Sequence, residues 1–178
     1  MKLYVGIDPG KDGGIVSIDE NKKVIHKFFI PKIKTSVDLR KLNDYLKEFS
    51  EMCFIVMEQV HAIFGSSAKS TFNFGQIYGQ LEGMIIANNF NYQLTQPKIW
   101  QKEIFQGITE IRKPPKVNKK GKIVKGRIDT KAMAELAYKR LFYDIDLYIT
   151  EKGNKSKNVH GGLCDALLIA EFARRRNL

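Results

Sequence analysis

Residues 1–18 have the sequence MKLYVGIDPGKDGGIVSI, and the rest of the chain is organised around them. Apolar side chains alternate up to Asp8, which predicts a strand within a sheet. Pro9-Gly10 then stops this strand, and residues 13–18 predict the return strand of a hairpin. A carboxylate at the end of a buried strand, beside a glycine-rich turn, is held rigidly and is open to a ligand. Asp8 is therefore either a metal-binding or catalytic carboxylate or a residue that only caps the turn.

Length and composition indicate one soluble domain. The chain has 178 residues, 43% of them apolar and 28% charged, which is enough for one core and typical of globular proteins. No apolar run approaches the roughly 20 residues that span a bilayer, and no signal peptide precedes the first strand. Cys53 and Cys164 lie in apolar runs and predict buried thiols without a disulfide. We expect a single domain, residues 1–178, in the cytoplasm and without a membrane partner.

The formal net charge of +11 points to a polyanionic partner, nucleic acid first and an anionic membrane second. The segment 112–127, RKPPKVNKKGKIVKGR, contains eight Lys or Arg residues and no acid. Its prolines and glycines predict a loop or mobile arm inserted into the domain. A merely solvated loop is the alternative, but phosphate binding explains a charge run of one sign better. The DNA-binding candidates here are Lys113, Lys116, Lys119, Lys120, Lys122, Lys125 and Arg127.

The remaining pattern predicts strands at 23–31, 53–58 and 91–95, and helices that begin near residues 35, 66, 97, 130 and 160. Three antiparallel strands followed by alternating helices and strands favour a mixed sheet flanked by helices. Gly75, Gly79 and Gly83 lie along one line of the helix at 66–88, and each costs about 1 kcal/mol relative to Ala. Another element must therefore approach this line closely. We favour the sheet over a second subunit.

Three carboxylates stand out by their context. Asp8 and Glu58 end predicted buried strands, and Asp165 interrupts the apolar face of the last helix. A buried carboxylate is costly unless it is paired or holds a cation, and three at one point repel one another. Mg²⁺ or Mn²⁺ would relieve that repulsion, and such ions catalyse phosphodiester hydrolysis. On residues and spacing alone, the sequence predicts a possible metal-dependent nuclease.

Four motifs in order resemble the RuvC-type Holliday junction resolvases, the phage-encoded members most closely. They are GIDPG at 6–10, MEQV at 57–60, GQIYGQLEG at 75–83 and CDALLIA at 164–170. The resemblance runs from the first strand to the last helix and is weakest over 112–127. It implies an α/β ribonuclease H-like fold with a five-stranded mixed sheet flanked by helices. It also implies a homodimer that nicks four-way junctions in pairs with Mg²⁺, for which Mn²⁺ can substitute.

The resemblance also assigns site residues. Asp8, Glu58 and Asp165 correspond to the family's catalytic and metal-binding acids, and Lys131 resembles a lysine near the scissile phosphate. Lys102 lies near a second such lysine, although Trp100 is equally close in register. His61 falls where family members place an aromatic ring that stacks on a base, with Phe64 as the alternative.

One position departs from the family pattern. The family's usual fourth ligand, Asp or His, stands three residues before the helix acid, and this chain has Gly162 there. His160 is the nearest replacement, either as a fourth catalytic metal ligand or as a proton carrier. The alternative is an exposed histidine in a loop.

The leading hypothesis is a structure-selective endonuclease that acts on four-way junctions, with forks and three-way junctions as further substrates, in the host cytoplasm if the chain is phage-encoded. A second hypothesis is a sugar- or acetate-kinase-like ATPase, because GIDPGKDGG resembles the phosphate hairpin of that superfamily. Such enzymes need two copies of the fold, and 178 residues carry one. A third is a branched-DNA-binding protein with impaired catalysis or an RNA-processing relative, which Gly162 keeps open.

Overall fold

The computed structural model describes residues 1–34, 36–49, 52–59, 67–117, 121–151 and 154–178. The strands are β1 (Leu3–Asp8), β2 (Gly14–Ile18), β3 (Val24–Phe29), β4 (Lys32–Ile33), β5 (Ser36–Val37), β6 (Cys53–Glu58), β7 (Asn91–Thr95), β8 (Lys116–Val117), β9 (Ile123–Val124), β10 (Tyr148–Glu151) and β11 (Asn154–Val159). The helices are α1 (Leu39–Lys47), α2 (Ala68–Ala87), α3 (Pro97–Ile104), α4 (Thr130–Leu141) and α5 (Gly161–Arg175).

A five-stranded sheet in the order β3-β2-β1-β6-β7 forms the centre of the molecule. The strand β1 runs antiparallel to β2 and parallel to β6, and β6 runs parallel to β7. The predicted mixed sheet flanked by helices is therefore confirmed. Because Ile7 pairs with Met57, the next residues on the two strands, Asp8 and Glu58, end side by side at the same sheet edge.

Apolar clusters cover both faces of this sheet. Residues of α3, α4 and α5 pack on one face, and residues of α1 and α2 pack on the other. The helix α5 lies directly on β1, because a Cβ atom at Gly6 would be only 2.0 Å from the carbonyl oxygen of Ala166. Glycine at position 6 thus permits the close approach that carries the start of α5 to the carboxyl end of β1.

The described part of the basic segment 112–127 contains a short antiparallel ribbon. The strands β8 and β9 pair antiparallel, and Arg112 forms an isolated bridge with Ile128. The backbone N–H of Lys113 also donates to the carbonyl of Arg127 at 2.9 Å. The β-branched residues Val117, Ile123 and Val124 favour this ribbon. A second antiparallel ribbon is formed by β10 and β11.

The glycine line of α2 differs from its prediction. Nothing in the described structure lies within 4 Å of a Cβ atom built at Gly75, Gly79 or Gly83, so the sheet does not approach them. The line instead faces open space, together with Phe72 and Ile86, which are 71% and 54% exposed. We call these five residues the glycine stripe. None of the described helices is long and apolar enough to span a bilayer.

Candidate active site

The three predicted carboxylates meet at one edge of the sheet. Asp8 ends β1, Glu58 ends β6, and Asp165 lies near the start of α5. Each side chain is partly buried. Besides burial, which is the larger cause for both groups, the charge of Asp8 raises the pKa of Glu58, and the charges of Asp8 and Glu58 raise the pKa of Asp165. The fold therefore brings the three acids close enough to oppose one another's ionisation.

Burial is the main cause of the raised pKa values. It raises the pKa of Glu58 to about 7, although a hydrogen bond from Trp100 opposes the rise. It raises the pKa of Asp165 to about 8, with the two neighbouring carboxylates adding to the effect. It also raises the pKa of Asp8, against the backbone N–H of Gly10, which donates to Oδ1 at 3.1 Å. Acids in this state favour a nearby positive charge.

Lys131 supplies such a charge. It is exposed, one position into α4, and its ammonium group lowers the pKa of both Asp8 and Asp165. Lys131 also lines an open pocket of about 620 Å³ together with Asp8, Asp165 and His160. We call this the acidic pocket. It is large enough to admit a phosphate group of a substrate.

His160 lines the same pocket, but its side chain already accepts a hydrogen bond from the backbone. It is the N-cap of α5, and its Nδ1 accepts a hydrogen bond from the backbone N–H of Leu163 at 3.1 Å. Neutral His160 must therefore carry its proton on Nε2, which makes Nε2 a donor. Burial lowers the pKa of His160 and favours this neutral form. Metal ligation through Nε2 would require the opposite tautomer and the loss of the cap.

The backbone explains why position 162 carries a glycine. A Cβ atom at this position would lie 2.2 Å from the carbonyl oxygen of Asp12 and 2.5 Å from Cα of Gly13. Gly13 and Gly162 also form an isolated parallel bridge, which ties the turn after β1 to the start of α5. A side chain at 162 would have to push this turn away.

Trp100 belongs to the site, although the sequence indicates it only as an alternative to Lys102. Its indole Nε1–H donates to Oε1 of Glu58 at 2.8 Å, and the ring is fully buried. The ring of Phe105 packs against it edge-on at 5.9 Å. The sequence feature that indicates this role is the single tryptophan of the chain. It lies on α3, which directly follows β7, and β7 ends beside Glu58.

The donor set suits a hard divalent cation, although the described residues contain no group of three or more His, Cys, Asp or Glu side chains close enough to hold one without rearrangement. Carboxylate oxygens are the ligands that Mg²⁺ and Mn²⁺ prefer. Thr95, which pairs with Glu58 across β6 and β7, has a buried Oγ1 without a hydrogen-bond partner in the described structure. Such an orphan group indicates a missing polar neighbour.

The predicted DNA contacts do not line the acidic pocket in the described structure. Lys102 is exposed on α3, Lys113 is partly buried, and Lys116, Lys122, Lys125 and Arg127 are exposed on the ribbon. His61, Phe64, Lys119 and Lys120 lie outside the described residues.

The whole chain is similar to two solved structures of RuvC from Thermus thermophilus. One is a complex with a Holliday junction substrate, at 14% identity and a TM-score of 0.57 over 99% of this chain and 96% of that one. The other, at 16% identity and the same TM-score, covers 98% of this chain and 96% of that one. No model of a protein family matches the sequence, and no curated protein is similar to it. These similarities confirm the ribonuclease H-like fold.

Proposed function

We propose that this chain is a metal-dependent, structure-selective endonuclease that nicks branched DNA, chiefly Holliday junctions. The observation that carries the proposal is the placement of Asp8 beside Glu58 at one sheet edge, with Asp165 beside Asp8 in the acidic pocket. Two further observations support it: the net charge of +11 and the shared fold with a RuvC that was solved on a Holliday junction substrate.

In this proposal Asp8, Glu58 and Asp165 hold Mg²⁺, or Mn²⁺ in its place, once their side chains turn towards one another. A divalent cation in such a site supplies Lewis acidity for phosphodiester hydrolysis. Lys131 neutralises charge on the phosphate that enters the acidic pocket. His160, through its Nε2–H, donates a hydrogen bond to that phosphate rather than binding the metal.

We also propose that two copies pair through the glycine stripe of α2. The stripe combines exposed apolar side chains, Phe72 and Ile86, with three glycines that have open space beyond them. Glycines let a second helix backbone approach closely, and a self-complementary patch favours a twofold dimer. Two acidic pockets in one dimer would account for paired nicks.

The second candidate is a branched-DNA-binding protein with impaired catalysis. Two observations favour it: Gly162 cannot carry a ligand, and Nδ1 of His160 is used by the helix cap. The described side chains also form no preformed cation cage. This candidate predicts tight binding of junctions without cleavage in any metal.

Nicking of labelled four-way, three-way, forked and linear DNA, with an RNA duplex for comparison, separates the two candidates. Each substrate is incubated with Mg²⁺, Mn²⁺ or a chelator. We expect metal-dependent nicks in the branched DNA, lost to background in D8N, E58Q and D165N while gel-shift binding persists. Full cleavage by one of these variants would remove that residue from the site. Binding without cleavage by the wild-type protein would establish the second candidate.

A further inference from the structure

A groove runs between the β4–β5 ribbon and the outer face of α2. It consists of three adjoining cavities of about 330, 250 and 420 Å³, all of which are lined by Asn73 and Ile77. Lys11, Lys32, Lys34 and Lys69 stand along it, and all four are exposed. We call it the lysine groove. None of these lysines was a candidate from the sequence, because they come from three separate segments.

The lysine groove adjoins the acidic pocket. Lys11 lines two of the groove cavities and also lines the pocket that holds Asp8, Lys131 and Asp165. Lys11 is thus the residue at which the groove and the acidic pocket adjoin.

The groove has the charge of a polyanion site. No acid is present among the described residues that line its three cavities. Asp12, at the mouth, is the one carboxylate that contacts these lysines in the described structure: Oδ1 is 2.7 Å from Nζ of Lys32, and Oδ2 is 3.7 Å from Nζ of Lys11. Within the described residues Lys34 and Lys69 have no carboxylate within ion-pair distance. Four cations against one exposed carboxylate leave an excess that phosphates can neutralise.

The uncharged lining also suits DNA. The face of α2 towards the groove carries the amides of Asn73, Gln76 and Gln80, which can donate hydrogen bonds to phosphate and sugar oxygens. The helix from Lys69 to Gln80 is about 16 Å long at 1.5 Å per residue. That length matches roughly five nucleotides at a rise of 3.4 Å per nucleotide along one strand.

We infer that the lysine groove binds the sugar–phosphate backbone of the DNA arm that leaves the acidic pocket. The inference rests on the proposed function, because it takes its ligand from the substrate cut in that pocket. Phosphates along this arm replace Asp12 as the partners of Lys11 and Lys32, and Lys34 and Lys69 bind the phosphates beyond. The groove thus fixes the direction in which the substrate arm runs.

The test compares two triple variants of the full chain that lose the same charge. The groove variant is K32A/K34A/K69A. The control is K23A/K41A/K47A, whose three lysines are exposed on the β2–β3 turn and on α1 and line none of the cavities described above. Binding to a labelled four-way junction is measured by fluorescence anisotropy in chelator, over a series of salt concentrations. Hydroxyl-radical footprinting of the junction then identifies the protected backbone.

We expect the groove variant to bind about 10- to 100-fold more weakly than the control at physiological salt. The slope of log affinity against log salt should fall by about 2 to 3, since each neutralised phosphate contributes about 0.9. Protection should disappear over a few nucleotides on one side of the nick site and persist elsewhere. Thermal melting of both variants checks that the fold is intact.

Three outcomes would overturn the inference, and they are distinguishable. If the wild-type protein binds and nicks the junction while the groove variant keeps its affinity, salt slope and footprint, the groove inference alone is wrong. If the groove variant changes the oligomeric state in light scattering without DNA, the groove binds a second copy instead. If the wild-type protein does not bind branched DNA, the groove inference and the proposed function are both wrong.

Discussion

At the scale of single residues, the hydrogen bond between Trp100 and Glu58 determines how the second acid is presented. Glu58 stands at the end of a buried strand, where burial favours its neutral form. The indole N–H is the opposing influence, because a donor stabilises the carboxylate. Trp100 therefore acts as a positioning residue, because its indole N–H fixes Oε1 of Glu58.

Replacing Trp100 with Phe keeps an aromatic ring and removes the donor. We expect the pKa of Glu58 to rise further, so that the acid limb of the pH–rate profile for nicking moves to higher pH. Hydrogen bonds to charged groups contribute about 1.5–3 kcal/mol, which corresponds to about a 10- to 100-fold slower rate at neutral pH.

F105L is the matched control for W100F, because it disturbs packing against the same ring and leaves the indole N–H in place. Its nicking profile should keep the wild-type pH dependence. If W100F keeps the wild-type pH–rate profile and loses only as much rate as F105L, Trp100 contributes packing and does not set the pKa of Glu58.

The raised pKa values also predict how stability depends on pH. The folded protein holds protons on Glu58 and Asp165 up to about pH 7 and pH 8, whereas the unfolded chain releases them near 4.5 and 3.8. Between these limits the folded state binds more protons, so the free energy of unfolding falls as pH rises. In chelator, denaturant titrations from pH 5 to pH 8 should show this decline.

Mg²⁺ should reverse the decline, because it binds the ionised carboxylates and not the protonated acids. The stabilisation by Mg²⁺ should therefore grow between pH 5 and pH 8. D165N should flatten both trends, while D44N, which removes an exposed carboxylate from α1, should leave them unchanged. Stability in chelator that rises over this range would contradict the assignment of protonated acids.

At the scale of elements, the contact between the turn after β1 and the start of α5 fixes the site. Gly13 and Gly162 bridge there, and Gly6 lets α5 lie on β1. Asp8 and Asp165 are thus held by one rigid unit. The absence of a ligand at position 162 follows from this packing, since the turn occupies the place of a side chain.

An aspartate placed at position 162 should therefore not become a ligand. G162D should lower Tm by about 3 to 10 °C, because overpacking costs about 1–3 kcal/mol, and it should not accelerate nicking. G161D is the matched control: nothing lies within 4 Å of a Cβ atom there, and an acid suits the first turn of a helix. Its melting temperature should stay near the wild-type value. Faster nicking by a stably folded G162D would refute the steric argument.

The sequence predicted the sheet and the grouping of the acids for physical reasons. Alternating apolar residues define β1, and strand ends at Asp8 and Glu58 must meet when neighbouring strands are parallel. The sequence does not predict features that depend on tertiary contacts. The strands β8 and β9 are only two residues long, which is too short for an alternating pattern, and the hydrogen bond to Nδ1 of His160 depends on where α5 begins.

The glycine line of α2 shows the same limit. The four-residue spacing of these glycines is visible in the sequence. Whether they face the sheet or open space depends on how the helix is rotated about its axis. The lysine groove could not be predicted from the sequence for a related reason, since Lys11, Lys34 and Lys69 come together only after the chain has folded.

At the scale of the whole molecule, the glycine stripe predicts assembly. A bulky charge at its centre, in G79R, should convert a dimer to a monomer in light scattering. Nicks on opposite strands of a four-way junction should then become independent events. Y143R adds the same charge at a residue that is 87% exposed elsewhere on the surface, and it should remain dimeric. A monomeric wild-type protein, or a dimeric G79R with coupled nicks, would exclude this interface.

The helix α2 turns two different faces outward, the stripe on one side and the groove about a quarter-turn round its axis. Any pairing through the stripe relates the copies by a twofold rotation. The strand that leaves one half of the assembly must then run opposite to the strand that leaves the other half. A cross-shaped substrate offers two such antiparallel exits, whereas a Y-shaped one offers only one. We therefore expect the first cut of a three-way junction to be as fast as that of a four-way junction. The second cut should be slower on the three-way junction, because no second strand runs antiparallel into the other active site.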